Sequence, residues 1–257
     1  MKKVYCLLLF VFTLSLFLVS CSSDDDVVSL DTSNGKIKMY SKGTYSLAIT
    51  RGNGGYVATS SDEKIATVSI KDNIVLIKGI KAGEVTITIA DKEDRSVVVE
   101  VELYEEFFKY KVVDKASIYA IKGEVSNDER KAIEDQISDF FIAETGGFYE
   151  FLRNDIYTGN FSVYPSGIAS YLFTGTFTAA SNNLRLEKRD DKNEVIEAFM
   201  YYGIKYEPTK SSETFLPFNF YDDMMLVIDC TEHFKKSYPK LTGLAFGQRL
   251  QRIGTDK

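Results

Sequence analysis

"EVTITIA" (Glu84–Ala90) and, after a short polar break, "SVVVEVEL" (Ser96–Leu103) decide how the first half of this chain folds. In the first run Val85, Ile87 and Ile89 alternate with Thr86 and Thr88. In the second, Val97, Val99, Val101 and Leu103 share one face, while Glu100 and Glu102 share the other. A period of two is what a strand needs when one face is buried and the other wet. "TYSLAIT" repeats the pattern with Tyr45, Leu47 and Ile49. Turn-forming clusters separate the runs: Gly52-Asn53-Gly54-Gly55, Lys71-Asp72-Asn73, Lys81-Ala82-Gly83 and Asp91 to Asp94. Short strands at this spacing predict a β-sandwich over residues 27–103.

Toward the N-terminus the pattern changes. Lys2 and Lys3 precede Val4 to Val19, a nearly apolar run broken by Thr13 and Ser15. It is shorter than the ~20 residues that cross a bilayer, which predicts a secretory signal over residues 1–20. The run ends in "LVSC" (Leu18–Cys21), which resembles the bacterial lipobox. That resemblance implies that Cys21 becomes the first mature residue and carries acyl chains such as palmitate. Several chains on one residue anchor a protein stably, where one binds marginally. "SSDDD" follows: Ser22, Ser23, Asp24, Asp25 and Asp26. It resembles the acidic tag of surface lipoproteins in Bacteroides-like bacteria, which implies display at the cell surface from the outer membrane. Read physically, the same residues form a solvated, self-repelling tether over 21–26.

Composition limits the function. The chain has 257 residues, 44% hydrophobic and 26% charged, enough for one or two globular units. Its formal charge is -6, and removal of Lys2 and Lys3 makes the rest more acidic. With no basic tract or basic-aromatic stripe, nucleic acid is not an expected partner. Of the three cysteines, Cys6 leaves with the signal and Cys21 takes lipid, so Cys230 is left without a disulfide partner. Its place in "MMLVIDC" predicts a buried, inert thiol. Trp is absent, but 16 Tyr and 18 Phe supply rings for a core.

"SSDEKIATV" (Ser60–Val68) and "VLIKGIKAGEVTITI" (Val75–Ile89) together resemble the group-2 bacterial immunoglobulin-like domain. Ala66 and Val68 take its strand positions, and Gly79 and Gly83 its turn glycines, where positive φ is expected. Ala58 stands where many members carry Trp, with Tyr56 as the aromatic substitute. The resemblance implies a stiff sandwich that holds another unit away from the membrane.

"YEEFFKYKVVDK" (Tyr104–Lys115) is charged and aromatic and is expected to join the two units. Residues 104–257 then read as an α+β domain, one helix packed on an antiparallel sheet. Ser126 and Glu129 form the capping-box pattern at the helix start. Ile133, Ile137, Phe140 and Phe141 form its apolar stripe, and Gly146-Gly147 its stop. "NEVIEAFMYYGIKYE" fits strand or helix, with Tyr201, Tyr202 and Gly203 favouring strand at its end. "GLAFGQRLQRI" reads as a last strand, with Leu244, Phe246 and Leu250 set against Gln248 and Arg249. "YLFTGTFTAASNNLRLE" (Tyr171–Glu187) and the ending "GQRLQRI" resemble small lipocalin-like barrels, with Phe177 where Tyr is more usual. That resemblance implies an interior able to take an apolar or aromatic ligand. Apolar periodicity alone predicts instead an interior filled by its own rings.

No Gly-x-Ser-x-Gly elbow, His-Glu-x-x-His helix, zinc cysteine pair or phosphate-binding glycine loop is present. His233 is the single histidine and reads as a surface residue after a buried strand. No catalytic residue, metal site or cofactor is therefore expected. Asp222, Asp223, Glu150 and Asp155 are the carboxylates available to a hydrolase. Tyr201, Tyr202, Tyr206 and Tyr221 lie near Asp222 and Asp223 in sequence, the combination that stacks on and hydrogen-bonds to sugars. The leading expectation is a mostly β, lipid-anchored binding or adhesion module for a glycan or protein. An accessory subunit of an envelope complex is the alternative, and a hydrolase comes third.

Overall fold

A computed structural model describes residues 28–31, 36–166, 173–181, 183–206 and 219–254. The expected signal (1–20), Cys21, the Ser22–Asp26 tag and Tyr171 lie outside the described residues. The chain is mostly β.

The first eight strands are β1(Ser29–Leu30), β2(Lys36–Tyr40), β3(Thr44–Arg51), β4(Val57–Ser60), β5(Ala66–Lys71), β6(Ile74–Gly79), β7(Gly83–Ala90) and β8(Ser96–Tyr104). They make two 4-stranded sheets, β1-β3-β6-β5 and β2-β8-β7-β4. One core draws on both: Leu47, Val75 and Ile77 from the first, Ile87, Ile89, Val99 and Val101 from the second. Tyr56 and Ala58 pack together against it. The β5–β6 turn places Asp72 and Asn73 at φ 50 and 62, the left-handed pair that a tight hairpin requires.

The two family glycines have different reasons. Gly83 has φ +151, which disfavours any side chain. Gly79 lacks positive φ; a Cβ there would lie 2.6 Å from the Ser41 carbonyl oxygen and 2.7 Å from Leu103. It is glycine for want of room, a correction to the positive-φ expectation.

The turn after β7 is built around Asp91, which is buried. It accepts from the backbone N–H groups of Asn53, Glu93 and Arg95, and its carboxylate meets the Arg95 guanidinium at 3.1 Å. Burial alone would raise its pKa, but those donors outweigh burial and hold it below the usual carboxylate range. A folded-state pKa below the unfolded one gives stability that is present above about pH 4 and lost as pH falls through the folded value. Acid unfolding of the parent, followed by circular dichroism, is expected to show this loss, and Asp91→Asn to give a flatter curve below pH 4. Parallel curves would remove Asp91 as the acid-sensitive group.

The second half departs from the expected helix on a sheet. Its strands are β9(Glu106–Val112), β10(Ser117–Gly123), β11(Phe148–Arg153), β12(Thr158–Tyr164), β13(Phe173–Ala180), β14(Asn183–Arg189), β15(Val195–Lys205), β16(Asp223–Asp229) and β17(Leu241–Arg252). Eight of them close into an antiparallel barrel, because the long β17 pairs β16 on one edge and β9 then β10 on the other. Closure removes edges that an open sheet would expose. Tyr104–Lys115 joins the units as nearly continuous strand: β9 is barrel wall, and Glu105 alone separates it from β8.

The expected helix is also shorter. Its capping box forms, with Glu129 N–H donating to Ser126 Oγ and Ser126 N–H to the Glu129 carboxylate. The helix spans Asn127–Glu134, and a 3-10 turn, Ile137–Phe140, follows. Phe141 is extended because the chain here dives into the barrel, where Phe141 and Ala143 are buried. A second, one-turn helix spans Thr231–Lys235.

The units meet at named contacts. Tyr40 OH donates to Glu106 at 3.0 Å, Lys42 N–H donates to the Asn154 carbonyl at 2.8 Å, and Arg153 pairs with Glu106 while lying over the Tyr40 ring.

Candidate functional site

The barrel interior is filled. Tyr110, Tyr149, Phe151, Phe177, Tyr201 and Phe246 are fully buried inside it, in edge-on and stacked contacts. Phe220 stoppers one end, stacked on Phe108 at 4.2 Å between ring centroids. At the other end Phe140, Phe234 and Phe246 pack together beneath the one-turn helix.

The wall is irregular at one place. Val112 opposes Leu250 and Ser117 opposes Gly247, so Val113 to Ala116 face only Arg249 and Gln248. The two extra residues make a bulge in the wall, as extra residues in one strand of a pair must. Behind the bulge lies Gln248, 2% exposed. The even-numbered residues Leu244, Phe246, Gln248 and Leu250 are all buried along β17. Gln248 is therefore on the inner face, not opposite the apolar residues as the sequence reading had it. Its parity with Phe246 was the available signal.

Gln248 does two things. Its Nε2 donates to the Ala143 carbonyl at 2.7 Å, which fixes which end of the amide is oxygen. The Ala143 N–H donates to Tyr149 OH, and Tyr201 OH donates to the Phe140 carbonyl. Interior polar tips thus fasten the incoming loop. Burial pushes the Tyr149 and Tyr201 hydroxyls above their ordinary pKa, so both stay neutral donors and acceptors. The Gln248 Oε1 has no hydrogen-bond partner among the described residues. A cavity of about 410 Å³ lies between the bulge, the end of the capped helix and the 143–145 loop, with Gln248 among its lining residues.

The residues singled out from sequence fall elsewhere. Tyr201 is in the core, and Tyr202, one residue on, takes the opposite face of β15. Tyr206 lies under the Arg249 guanidinium at 4.0 Å. Arg249 forms two hydrogen bonds to Asp223, at 2.9 and 2.7 Å, and reaches Asp114. The Asp223 bond raises the Arg249 pKa further, so the guanidinium stays charged. Asp222 pairs with Arg252 at 3.2 Å, and the Tyr221 carbonyl accepts from Tyr110 OH. The expected tyrosine–aspartate cluster is thus split: Tyr206 and Asp223 meet through Arg249, and Tyr201 is elsewhere. Glu150 pairs with Lys109 at 2.8 Å, and Asp155 accepts from the Ile156 N–H in its own turn.

Cys230 is buried, and burial, with Asp229 adding to it, pushes its thiol up to about 12. His233 is exposed on the one-turn helix, edge-on to Phe140. Among the described residues no group of three or more His, Cys, Asp or Glu side chains is placed to hold a metal ion.

No family model matches the chain, and no curated protein matches it. Among solved structures, domains 4-9 of the surface layer protein SbsC match over 90% of this chain at 12% identity, with a TM-score of 0.26. The chain spans 27% of that structure's length. Similarity this low carries no functional argument.

Proposed function

We propose that the chain is a lipid-anchored lipoprotein of the outer membrane, displayed at the cell surface, whose barrel is a non-catalytic binding module. In this reading Cys21 is acylated, Ser22 to Asp26 are the export tag, and residues 27–103 are a bacterial immunoglobulin-like stalk. The lipocalin-like resemblance supports reading residues 104–257 as the part that binds.

One observation carries the binding role: a cavity of about 410 Å³ opens in the barrel wall, lined by the apolar Ile137, Phe141 and Ala143 beside Lys115, Asp135 and Glu144. The ligand reading accordingly adds a small molecule in this cavity to the glycan or protein expected from sequence. The carboxylates nominated for hydrolysis are engaged with Arg249, Arg252, Lys109 or their own turn, which favours binding over catalysis at those positions.

An accessory role in an envelope complex has its own support. Among the described residues the pairing of β15 with β16 covers Tyr202–Lys205, while Val195, Ile196 and Met200, on the earlier part of β15, are exposed. An exposed apolar strand edge is a template for another chain.

Protease shaving of intact cells separates these readings. Digestion of the barrel beside an intact periplasmic control is the expected result, together with release of Cys21→Ser from the membrane fraction. A barrel protected on intact cells overturns surface display and favours a periplasmic envelope partner.

A further inference from the structure

We infer that the joint between the sandwich and the barrel is locked, with Glu106 as the shared member of the lock, so that the two units move as one rigid body. The inference concerns the joint alone. On the stalk reading it also means that the anchor sets both the height and the orientation of the barrel.

The backbone leaves little freedom there. β8 ends at Tyr104 and β9 begins at Glu106, so a hinge would have only the soft dihedrals around Glu105 to use. Both sides of Glu105 are tied down. Ser41 N–H donates to the Tyr104 carbonyl at 2.9 Å, and Ser41 Oγ donates to the Glu105 carboxylate at 2.9 Å. Ser41 is buried, and Gly79 makes the room for it, since a Cβ there would strike the Ser41 carbonyl. Side chains then bridge the units. The Glu106 carboxylate, on barrel strand β9, accepts from Tyr40 OH of sandwich strand β2 at 3.0 Å and from Arg153 Nε of β11 at 2.8 Å. Both donors meet the same oxygen, so the tyrosine is tied to an ion pair and not to a lone carboxylate. That pair is part-buried, so water screens it less than a surface pair. The Arg153 guanidinium is itself held: it lies 5.2 Å from the Tyr40 ring centroid, 5.4 Å from that of Phe108 and 5.8 Å from that of Phe220. One cation thus contacts rings of both units. Lys42 N–H adds a second attachment, to the Asn154 carbonyl at 2.8 Å. Relative motion is the ordinary state of two domains in one chain, but a hinge at Glu105 would have to break both attachments.

Double electron–electron resonance on the full chain reads the joint directly. Nitroxides on p-acetylphenylalanine replace Ser69 on β5 and Asn160 on β12, both exposed, and this labelling leaves the cysteines untouched. The parent is expected to give one narrow distance distribution. Glu106→Ala removes the shared acceptor and is expected to broaden it about twofold, as ordinary motion between domains returns. Tyr40→Phe keeps the ring beside Arg153 and removes only the hydroxyl, and is expected to broaden it less. Glu150→Ala is the control: it breaks the Lys109–Glu150 pair between the same strands, β9 and β11, with no sandwich residue in it. Its distribution is expected to match the parent.

A parent distribution as broad as that of Glu106→Ala overturns the lock. Equal, narrow widths in every chain overturn the role given to Glu106. Broadening in Glu150→Ala as large as in Glu106→Ala means that a loosened barrel wall is being read, and overturns it too. Urea unfolding followed by tyrosine fluorescence checks that both units are folded in each variant; if Glu106→Ala does not fold, Tyr40→Phe decides. Surface display, tested by shaving, is untouched by any of these results.

Discussion

Phe151→Ala is expected to destabilise the barrel by about 4 kcal/mol, within the range for removing a buried ring. Phe151 is fully buried, with Tyr110, Tyr149, Phe177 and Phe220 around it. Those neighbours are themselves wedged between strands of a closed wall, so they cannot collapse into the space. Aromatic contacts are lost along with the buried area. In urea, with a slope of roughly 1–3 kcal/mol per molar, the barrel midpoint is expected to fall by about 2 M. Tyrosine fluorescence reports it, since the chain has no Trp. The core around Ile87 is a separate cluster, and its transition is expected to move little. A shift below about 0.5 M would mean that the rings repack and the interior is not a close-packed stopper.

The second large effect is expected at Gly159. Its strand neighbour in β13 is Phe177, whose ring lies across it. A Cβ at Gly159 would lie against the Leu152 carbonyl oxygen and 2.5 Å from Phe177 Cε1. Backbone and a caged ring cannot both give way, so Gly159→Val is expected to cost about 3 kcal/mol, the upper part of the overpacking range. The matching fall in Tm is roughly 6–12 °C for a unit of this size. Gly243→Ala is the control: the nearest atom to its Cβ is Lys122 Cβ at 3.4 Å, an ordinary contact on a mobile side chain. Its Tm is expected to stay within about 2 °C of the parent. Equal effects at the two positions would show that the Phe177 ring is free to move.

Both predictions depend on closure, and closure separates what was readable from what was not. The alternation of Val85, Ile87 and Ile89, the Asp72-Asn73 turn and the Ser126–Glu129 capping box were legible because each is set within a few residues. Strand or turn preference there comes from local sterics and hydrogen bonds. The stripe Ile133, Ile137, Phe140 and Phe141 was read as one helix for the same local reason. The structure ends the helix at Glu134 because Tyr149, Tyr201 and Gln248, all distant in sequence, bind the backbone from Phe140 to Ala143.

The candidate site followed the same division. Sequence nearness put Tyr201 beside Tyr202, Tyr206, Tyr221, Asp222 and Asp223, yet a strand sends neighbours to opposite faces and Tyr201 went to the core. Arg249, which joins Asp223 to Tyr206, lies 26 residues from Asp223 and has no local signal for that role.

By itself the sequence determined the strand-forming pattern, the local caps and turns, and a ring-rich composition, with Cys230 left unpaired, that had to be stabilised by packing. Only the tertiary structure decided that the sheet closes, that the rings fill it, and that Gln248 faces inward to hold the Ala143 carbonyl. The reason is physical. Closure depends on the register of β17 against β9 and β10, and the bulge at Val113 to Ala116 arises from pairing across more than a hundred residues of chain. Register is set by the sum of long-range burial and hydrogen bonding, which no short window of sequence contains.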